Sequence, residues 1–315
     1  MTDARKWVQR TEAAIEEGRH FKTTEAKRHT LAEMVDRYTR EILPRKSASS
    51  MTMQTQQLGW WREQLGMYVL ADITPSLIAE YRDILARSQA NSTVNRYLSA
   101  LSHAFTIAIK EWGWLEESPM RKVSKPKEPR GRVRFLSDDE RKRLLEACRT
   151  SYNPRLYPAV VVSLSTGARK MEILSLRWRD VDFQRQTITL HDTKNGERRV
   201  LPLQGHALEL IQQHSNGSRM DSDFVFPSRN GKKPFDLRRA WTAALKESNI
   251  PNFRWHDLRH SAASYLAMNG ATLAEIAEIL GHKTLAMVKR YAHLSDAHTA
   301  GVVRRMNEKI FGEST

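Results

Sequence analysis

The sequence predicts a mainly α-helical protein with one small antiparallel β-sheet (an α+β fold), divided into two domains. Three observations carry this. Residues 92–112 (STVNRYLSALSHAFTIAIKEW) place Val94, Leu98, Leu101, Phe105, Ala108, Ile109 and Trp112 at steps of three and four, so one long helix buries one face. TITLHDTKNGERRVLPL holds two short β-prone runs, 187–190 and 198–203, around Asn195-Gly196, a dipeptide that tolerates the positive φ of a two-residue hairpin turn. In between, residues 118–135 (SPMRKVSKPKEPRGRVRF) contain three prolines and many cations but few large apolar side chains, the composition of a stiff, solvated linker that can also track a phosphate backbone.

Taken in order, residues 1–24 read as an amphipathic helical appendage. Residues 25–117 form a helical domain: weaker helical patterns cover 29–43, 52–66 and 75–87, with Pro75 suited to a first turn, and precede the long helix, which Ser92 or Thr93 can cap. After the linker, residues 136–315 form the second domain. Ser137-Asp138-Asp139-Glu140 is a capping box that opens a helix. Residues 153–176 suggest two helices broken at Thr166-Gly167, and the hairpin follows. From Asp236 the chain is helical in short pieces. The last piece, within 296–312, carries an apolar stripe of Val302, Val303, Met306, Ile310 and Phe311. Such a stripe packs on its own domain or on a neighbour.

At 315 residues with 40% apolar content, the chain can bury a real core. No apolar run reaches the ~20 residues needed to span a bilayer, and the N-terminus has no secretory apolar core. The single cysteine, Cys148, rules out an internal disulfide framework and a four-cysteine zinc site; in LLEACRT it reads as a small core residue. A cytoplasmic, nucleoid-associated location is expected. Lys and Arg number 51 against 36 acids, a formal charge of +15, which points to a polyanionic partner and to nucleic acid first.

Five segments concentrate polar residues where a core pattern would not. STGARKMEIL presents Arg169 after a helix-breaking glycine, then Glu172. The hairpin presents Lys194 beside its turn. RWHDLRHSAAS presents His256 and Arg259 one helical turn apart. ILGHKT presents His282 after a glycine, and GHKTLAMVKRYAHLS sets Tyr291 in a cationic, solvated stretch beside Lys289 and Arg290. Singly, each has an ordinary structural explanation: a paired arginine, an exposed turn lysine, hydrogen-bonded core histidines, a half-buried aromatic. Together, two guanidiniums, an ammonium, two imidazoles and a phenol make a set suited to a phosphodiester. Arginines hold phosphate oxygens bidentately, a lysine or histidine protonates a leaving alkoxide, and a tyrosine can attack phosphorus. His256 and His260 have the i, i+4 spacing of a zinc pair, but HExxH is absent and Arg259 would repel a metal. No GxxxxGK[ST] is present, so no P-loop ATP site is expected. No cofactor and no metal are expected.

TGARKMEIL, the lysine hairpin, HDLRH, LGH and the late tyrosine, in this order and approximate spacing over 135–295, resemble the tyrosine recombinase (phage integrase) family. NSTVNRYLSALSHAFTIAIKEWGWL resembles that family's helical core-binding domain. The resemblance implies a two-domain, C-shaped DNA clamp and a site-specific recombinase that cleaves and rejoins DNA through a 3′-phosphotyrosyl intermediate, without metal or ATP. Arg169 and Arg259 would clamp the scissile phosphate with help from His282. His256 would act as general base or orienter, Lys194 as acid for the 5′-oxygen, and Tyr291 as nucleophile, with Glu172 supporting Arg169. Arg96, Ser99 and His103 on the long helix, and Lys122, Lys125 and Lys127 in the linker, are candidate DNA contacts or simply solvated.

The implied partners are double-stranded DNA with inverted-repeat sites and further copies of the chain, a tetramer on DNA joined by the C-terminal helix, with an accessory DNA-bending protein allowed. Residues 2–21 resemble the last helix of an arm-binding domain without its strands. A catalytically inactive DNA-binding protein of this fold, and a type IB topoisomerase, are the alternatives.

Overall fold

A computed structural model describes residues 3–16, 25–129, 131–132, 134–191, 198–217 and 221–312. The chain forms two compact units, Met1–Arg130 and Gly131–Thr315, and the mainly helical fold with one small antiparallel sheet is as expected.

In the first unit, α1 (Asp3–Glu16) precedes α2 (Leu31–Glu41), which a capping box between Thr30 and Glu33 opens. Then come α3 (Ala48–Leu65), α4 (Pro75–Ala86, proline in its first turn) and α5 (Asn91–Lys110). The stripe read from the sequence is the buried face of α5: Val94, Leu98, Leu101, Phe105 and Ala108 are inaccessible and pack with Met34 and Tyr38 of α2 and Leu58 and Trp61 of α3. The expected cap on α5 is corrected. The helix starts one residue earlier, its N-cap is Ala90, and no side chain caps it. A tertiary contact stands in its place: Asn91 donates to the Lys127 carbonyl (2.8 Å), and Asn95 donates to the Pro126 carbonyl (3.0 Å) and to Glu128 (2.7 Å). Arg82 also donates to the Ser124 carbonyl (2.9 Å). Residues 124–128 of the basic segment therefore lie bound along α4 and α5 of this unit.

In the second unit, Arg134 pairs with Glu140 and the Leu136 amide donates to the buried Ser261 hydroxyl (3.0 Å). The predicted capping box then opens α6 (Asp138–Arg149), which places Cys148 in the core, where burial pushes its thiol up to about 12. α7 (Leu156–Thr166) is buried along most of its length, the pattern of a central helix. It ends at Gly167, and the short α8 (Lys170–Leu174) follows.

The sheet is β1 (Val181–Asp182), β2 (Thr187–Leu190) and β3 (Arg199–Pro202), all antiparallel, with Ile188 opposite Leu201 and Leu190 opposite Arg199. The β1 strand was not anticipated; two residues are too few to show alternation. The predicted turn at Asn195-Gly196, with Lys194, lies outside the described residues. Next come α9 (Gly205–Asn216), α10 (Arg238–Glu247), α11 (Trp255–Met268) and α12 (Leu273–Leu280). 3₁₀ turns at Leu285–Met287 and Lys289–Ser295 lead to α13 (Asp296–Phe311). The stripe of α13 is exposed: Val302, Val303, Met306, Ile310 and Phe311 are each 44–77% accessible.

Candidate active site

Two left-handed glycines shape the site. Gly167 (φ 61°) ends α7, and a β-carbon there would run into the Leu280 side chain and come within 3.4 Å of Ala262. Two residues on, Arg169 caps α8. Glu172 turns back onto it, taking hydrogen bonds from the Arg169 amide (2.8 Å) and Nη1 (2.6 Å). Gly281 (φ 64°) ends α12; a β-carbon there would strike the Arg199 guanidinium, whose Cζ lies 3.2 Å from that position. His282 follows.

Arg259, on α11 and only 4% exposed, joins the two turns. Its Nη1 donates to the Gly167 carbonyl (2.8 Å) and its Nη2 to the Leu280 carbonyl (2.6 Å). One buried guanidinium thus fixes the backbone leading into both Arg169 and His282.

Arg199 is the residue that sequence reasoning passed over. Its Nη2 donates to Glu172 (2.9 Å), so one carboxylate serves two arginines. Its Nε and Nη1 are buried without a partner among the described residues, as is His282 Nδ1. A signal was present: strand alternation puts Arg199 on the face of Leu201 and Leu190, the core side, where an arginine needs a partner.

The electrostatics follow from this crowding. Burial, then the Arg169 and Arg199 charges, lower Arg259 to about 10. Burial, then Arg259, Arg169, Arg199 and Arg290, bring His282 to about 4, so its ring is neutral at pH 7. Burial alone would raise the Glu172 carboxyl, but hydrogen bonds from Arg169 and the Arg199 charge outweigh it and hold the group low. Three guanidiniums lie near one carboxylate, which binds two of them, Arg169 and Arg199. Asp257, another acid nearby, accepts from the Arg254 amide (2.7 Å) and pairs with Arg132. Cationic charge in excess is the electrostatic form of an anion site.

His256 is exposed at the start of α11; partial desolvation and the Arg259 charge lower its pKa. Its ring meets that of His260 edge-on, centroids 5.2 Å apart. The solvated setting expected for Tyr291 is corrected. Its neighbours Lys289 and Arg290 are exposed, but Tyr291 is 1% exposed and packs with Ala263, Ile276, Leu280 and Val288, because a 3₁₀ turn presents its ring to α11 and α12. Its hydroxyl lies 2.5 Å from His260 Nδ1. The structure thus gathers Arg169, Glu172, Arg259 and His282 with Arg199, and sets His256 and Tyr291 on either side of His260.

In the first unit, Arg96, Ser99 and His103 occupy the exposed face of α5, and Lys122, Lys125 and Lys127 are also exposed. Some are engaged. His103 Nδ1 lies 2.7 Å from the Tyr38 hydroxyl, which also accepts from Lys46 (2.6 Å), and Ser99 accepts from Lys125 (3.2 Å).

Comparison with known proteins bears on this arrangement. Residues 134–298 match the phage integrase family. The chain is 32% identical over 238 residues to an integrase of Salmonella phage P22, covering 71% of this chain and 59% of that protein. It is 31% identical over 279 residues to a shufflon-specific DNA recombinase of Escherichia coli (84% and 69% covered) and 30% identical over 258 residues to the tyrosine recombinase XerC of Xanthomonas campestris pv. campestris (78% and 77%). The match thus spans about three fifths of the length of the phage P22 integrase.

The fold resembles that of the Tn1549 transposon integrase in complex with a circular intermediate DNA (TM-score 0.73, 17% identity, 88% of this chain and 99% of that one). It also resembles a lambda integrase dimer bound to a COC′ core site (TM-score 0.70, 22% identity, 85% and 96%). With a family match over more than half of its residues and curated recombinases at 30–32% identity along most of its length, the chain belongs to the phage integrase family, the tyrosine recombinases.

Proposed function

We propose that the protein is a site-specific DNA recombinase that breaks and rejoins strands through a covalent 3′-phosphotyrosyl link. The observation that carries this is the set of three guanidiniums around a single carboxylate, tied by Arg259 to both glycine turns, with a tyrosine on the following turn of the same unit. Arg169 and Arg259 bind the non-bridging oxygens of the scissile phosphate, and neutral His282 adds a hydrogen bond. Glu172 and Arg199 hold Arg169 in place. Tyr291 attacks phosphorus, His256 orients the phosphate or the nucleophile, and Lys194 protonates the departing 5′-oxygen. The phosphotyrosine ester conserves the energy of the broken bond, so a 5′-hydroxyl from a second duplex can reverse the step with no ATP. Charge that a metal would supply comes from the arginines.

The substrate is duplex DNA with inverted half-sites, in keeping with the +15 charge, and the exposed Arg96, Lys122 and Lys127 contact its backbone. The exposed stripe on α13 supports self-assembly on DNA: an apolar terminal helix gains by entering a groove on a neighbouring copy, and such head-to-tail contacts close into a ring. A nicked suicide substrate, resolved on a denaturing gel, tests the central claim. The wild-type protein should form an adduct, whereas Tyr291→Phe should bind the same DNA and form none. An adduct with Tyr291→Phe would give the nucleophile role to another residue.

A further inference from the structure

We propose that His260 is the proton acceptor for the Tyr291 hydroxyl during strand cleavage, a catalytic residue in addition to those named above. The inference rests on the reading of Tyr291 as nucleophile.

A buried phenol that attacks phosphorus must lose its proton, and among the described residues His260 is in hydrogen-bonding contact with it. Tyr291 is 1% exposed, so bulk water does not reach its hydroxyl. His260 Nδ1 is 2.5 Å from that oxygen, within the reach required of a general base. The ring of His256 meets the ring of His260 edge-on. His260 sits in the buried middle of α11, between Arg259 and the inaccessible Ser261, so its position is set by the core and not by a loop.

In the free protein both groups are uncharged at pH 7. On α11, His260 is flanked by His256, Asp257 and Arg259, and Arg290 faces it from the turn that carries Tyr291. Burial and the nearby cations outweigh Asp257 and bring the imidazole to about 4, so at pH 7 it is neutral and free to accept. Burial raises the Tyr291 phenol against the opposing pull of Arg290 and Arg259, so it is un-ionised and needs a base. An imidazolium here would be disfavoured until the scissile phosphate arrives with its negative charge. Proton transfer is thereby coupled to DNA binding, and a stray phenolate is avoided in the free protein.

The step balances. The Tyr291 O–H proton passes to His260 Nδ1 as the Oη–P bond forms. The P–O5′ bond breaks, and the 5′-oxygen takes its proton from the general acid. In rejoining, the incoming 5′-hydroxyl gives its proton to the conjugate base of the general acid as it attacks phosphorus, and the His260 imidazolium returns its proton to the departing phenolate.

The test is single-turnover cleavage of the suicide substrate between about pH 5 and pH 9. In the free wild type, His260 is already neutral over this range, so the protein enters the reaction with its acceptor unprotonated. His260→Gln can keep a hydrogen bond to the hydroxyl but cannot take a proton, so cleavage should fall by about 10²–10⁴ and rise with pH as the phenol itself ionises. Added imidazole should restore part of the rate of His260→Ala. A His260→Gln rate and pH profile matching the wild type, with Tyr291→Phe forming no adduct, would overturn the assignment to His260 while sparing the nucleophile. An adduct in Tyr291→Phe would instead overturn the reading beneath it. Nitrogen NMR of histidine-labelled wild-type protein supplies a check that needs no His260 variant: Nδ1 should be unprotonated and its shift should move in Tyr291→Phe. A proton resident on Nδ1 would refute the proposal.

Discussion

Glu172→Gln isolates the charge balance of the arginine cluster. Glu172 is 6% exposed and takes three hydrogen bonds, from the Arg169 amide and Nη1 and from Arg199 Nη2. Glutamine keeps the size and one acceptor, but it turns the other oxygen into a donor and removes the carboxylate that the two guanidiniums share. Removing one partner of a buried pair costs about 3–5 kcal/mol. Arg169 is a quarter exposed and can turn partly to water, so its share is screened. Arg199 is 11% exposed and already has two unpartnered nitrogens among the described residues, so the cost concentrates there.

The lower end of the range, about 3 kcal/mol, is therefore expected, or on the order of 100-fold lost amide protection. Hydrogen exchange on the full chain, followed over residues 156–174 and 199–203, measures it in the second unit alone. The pH dependence gives an independent sign. The Glu172 carboxyl is depressed in the folded state, so its contribution is full above the unfolded value of about 4.3 and is lost as pH falls through the lower folded value. The wild type should thus approach the variant in acid. Equal protection at neutral pH, or a gap that persists in acid, would refute the shared-carboxylate account.

Three further outcomes are expected. Lys194→Ala should slow cleavage severely, and a 5′-bridging sulfur should restore much of the rate because a thiolate leaves without a proton; no rescue would remove Lys194 from the acid role. DNA binding should weaken by ~10³–10⁵ between 50 and 200 mM salt if about 6–10 phosphates are contacted. Neutralising Lys122, Lys125 and Lys127 together should flatten that slope, and an unchanged slope would mean that these charges are only solvated. Deleting residues 298–315 should leave half-site binding nearly intact and abolish cooperative synapsis, as read by gel shifts on half and full sites; loss of half-site affinity would place α13 in its own unit's core.

Much of the fold was legible because its signals are local. The α5 stripe repeats at the helical period, Ser137 and Glu140 cap each other within one turn, and Gly167 ends a helix where a left-handed residue is needed. Where a local signal was replaced by a tertiary one, the reading shifted: α5 is held at its start by the 124–128 segment, so the residues that looked like caps lie inside its first turn.

The candidate site divides along the same line. Sequence by itself determined the residue types and their order: Arg169 after its glycine, His256 and Arg259 on one helical face, His282 after the second glycine, Tyr291 beyond. Only the tertiary structure decided that Arg199 shares Glu172 across 27 residues, that Arg259 ties Gly167 to Leu280, and that Tyr291 is buried against His260, 31 residues away. The physical reason is that charge balance and burial are properties of what surrounds a group. A run of cations in the chain places Tyr291 beside Lys289 and Arg290, but a single 3₁₀ turn sends those two to solvent and the phenol to the core.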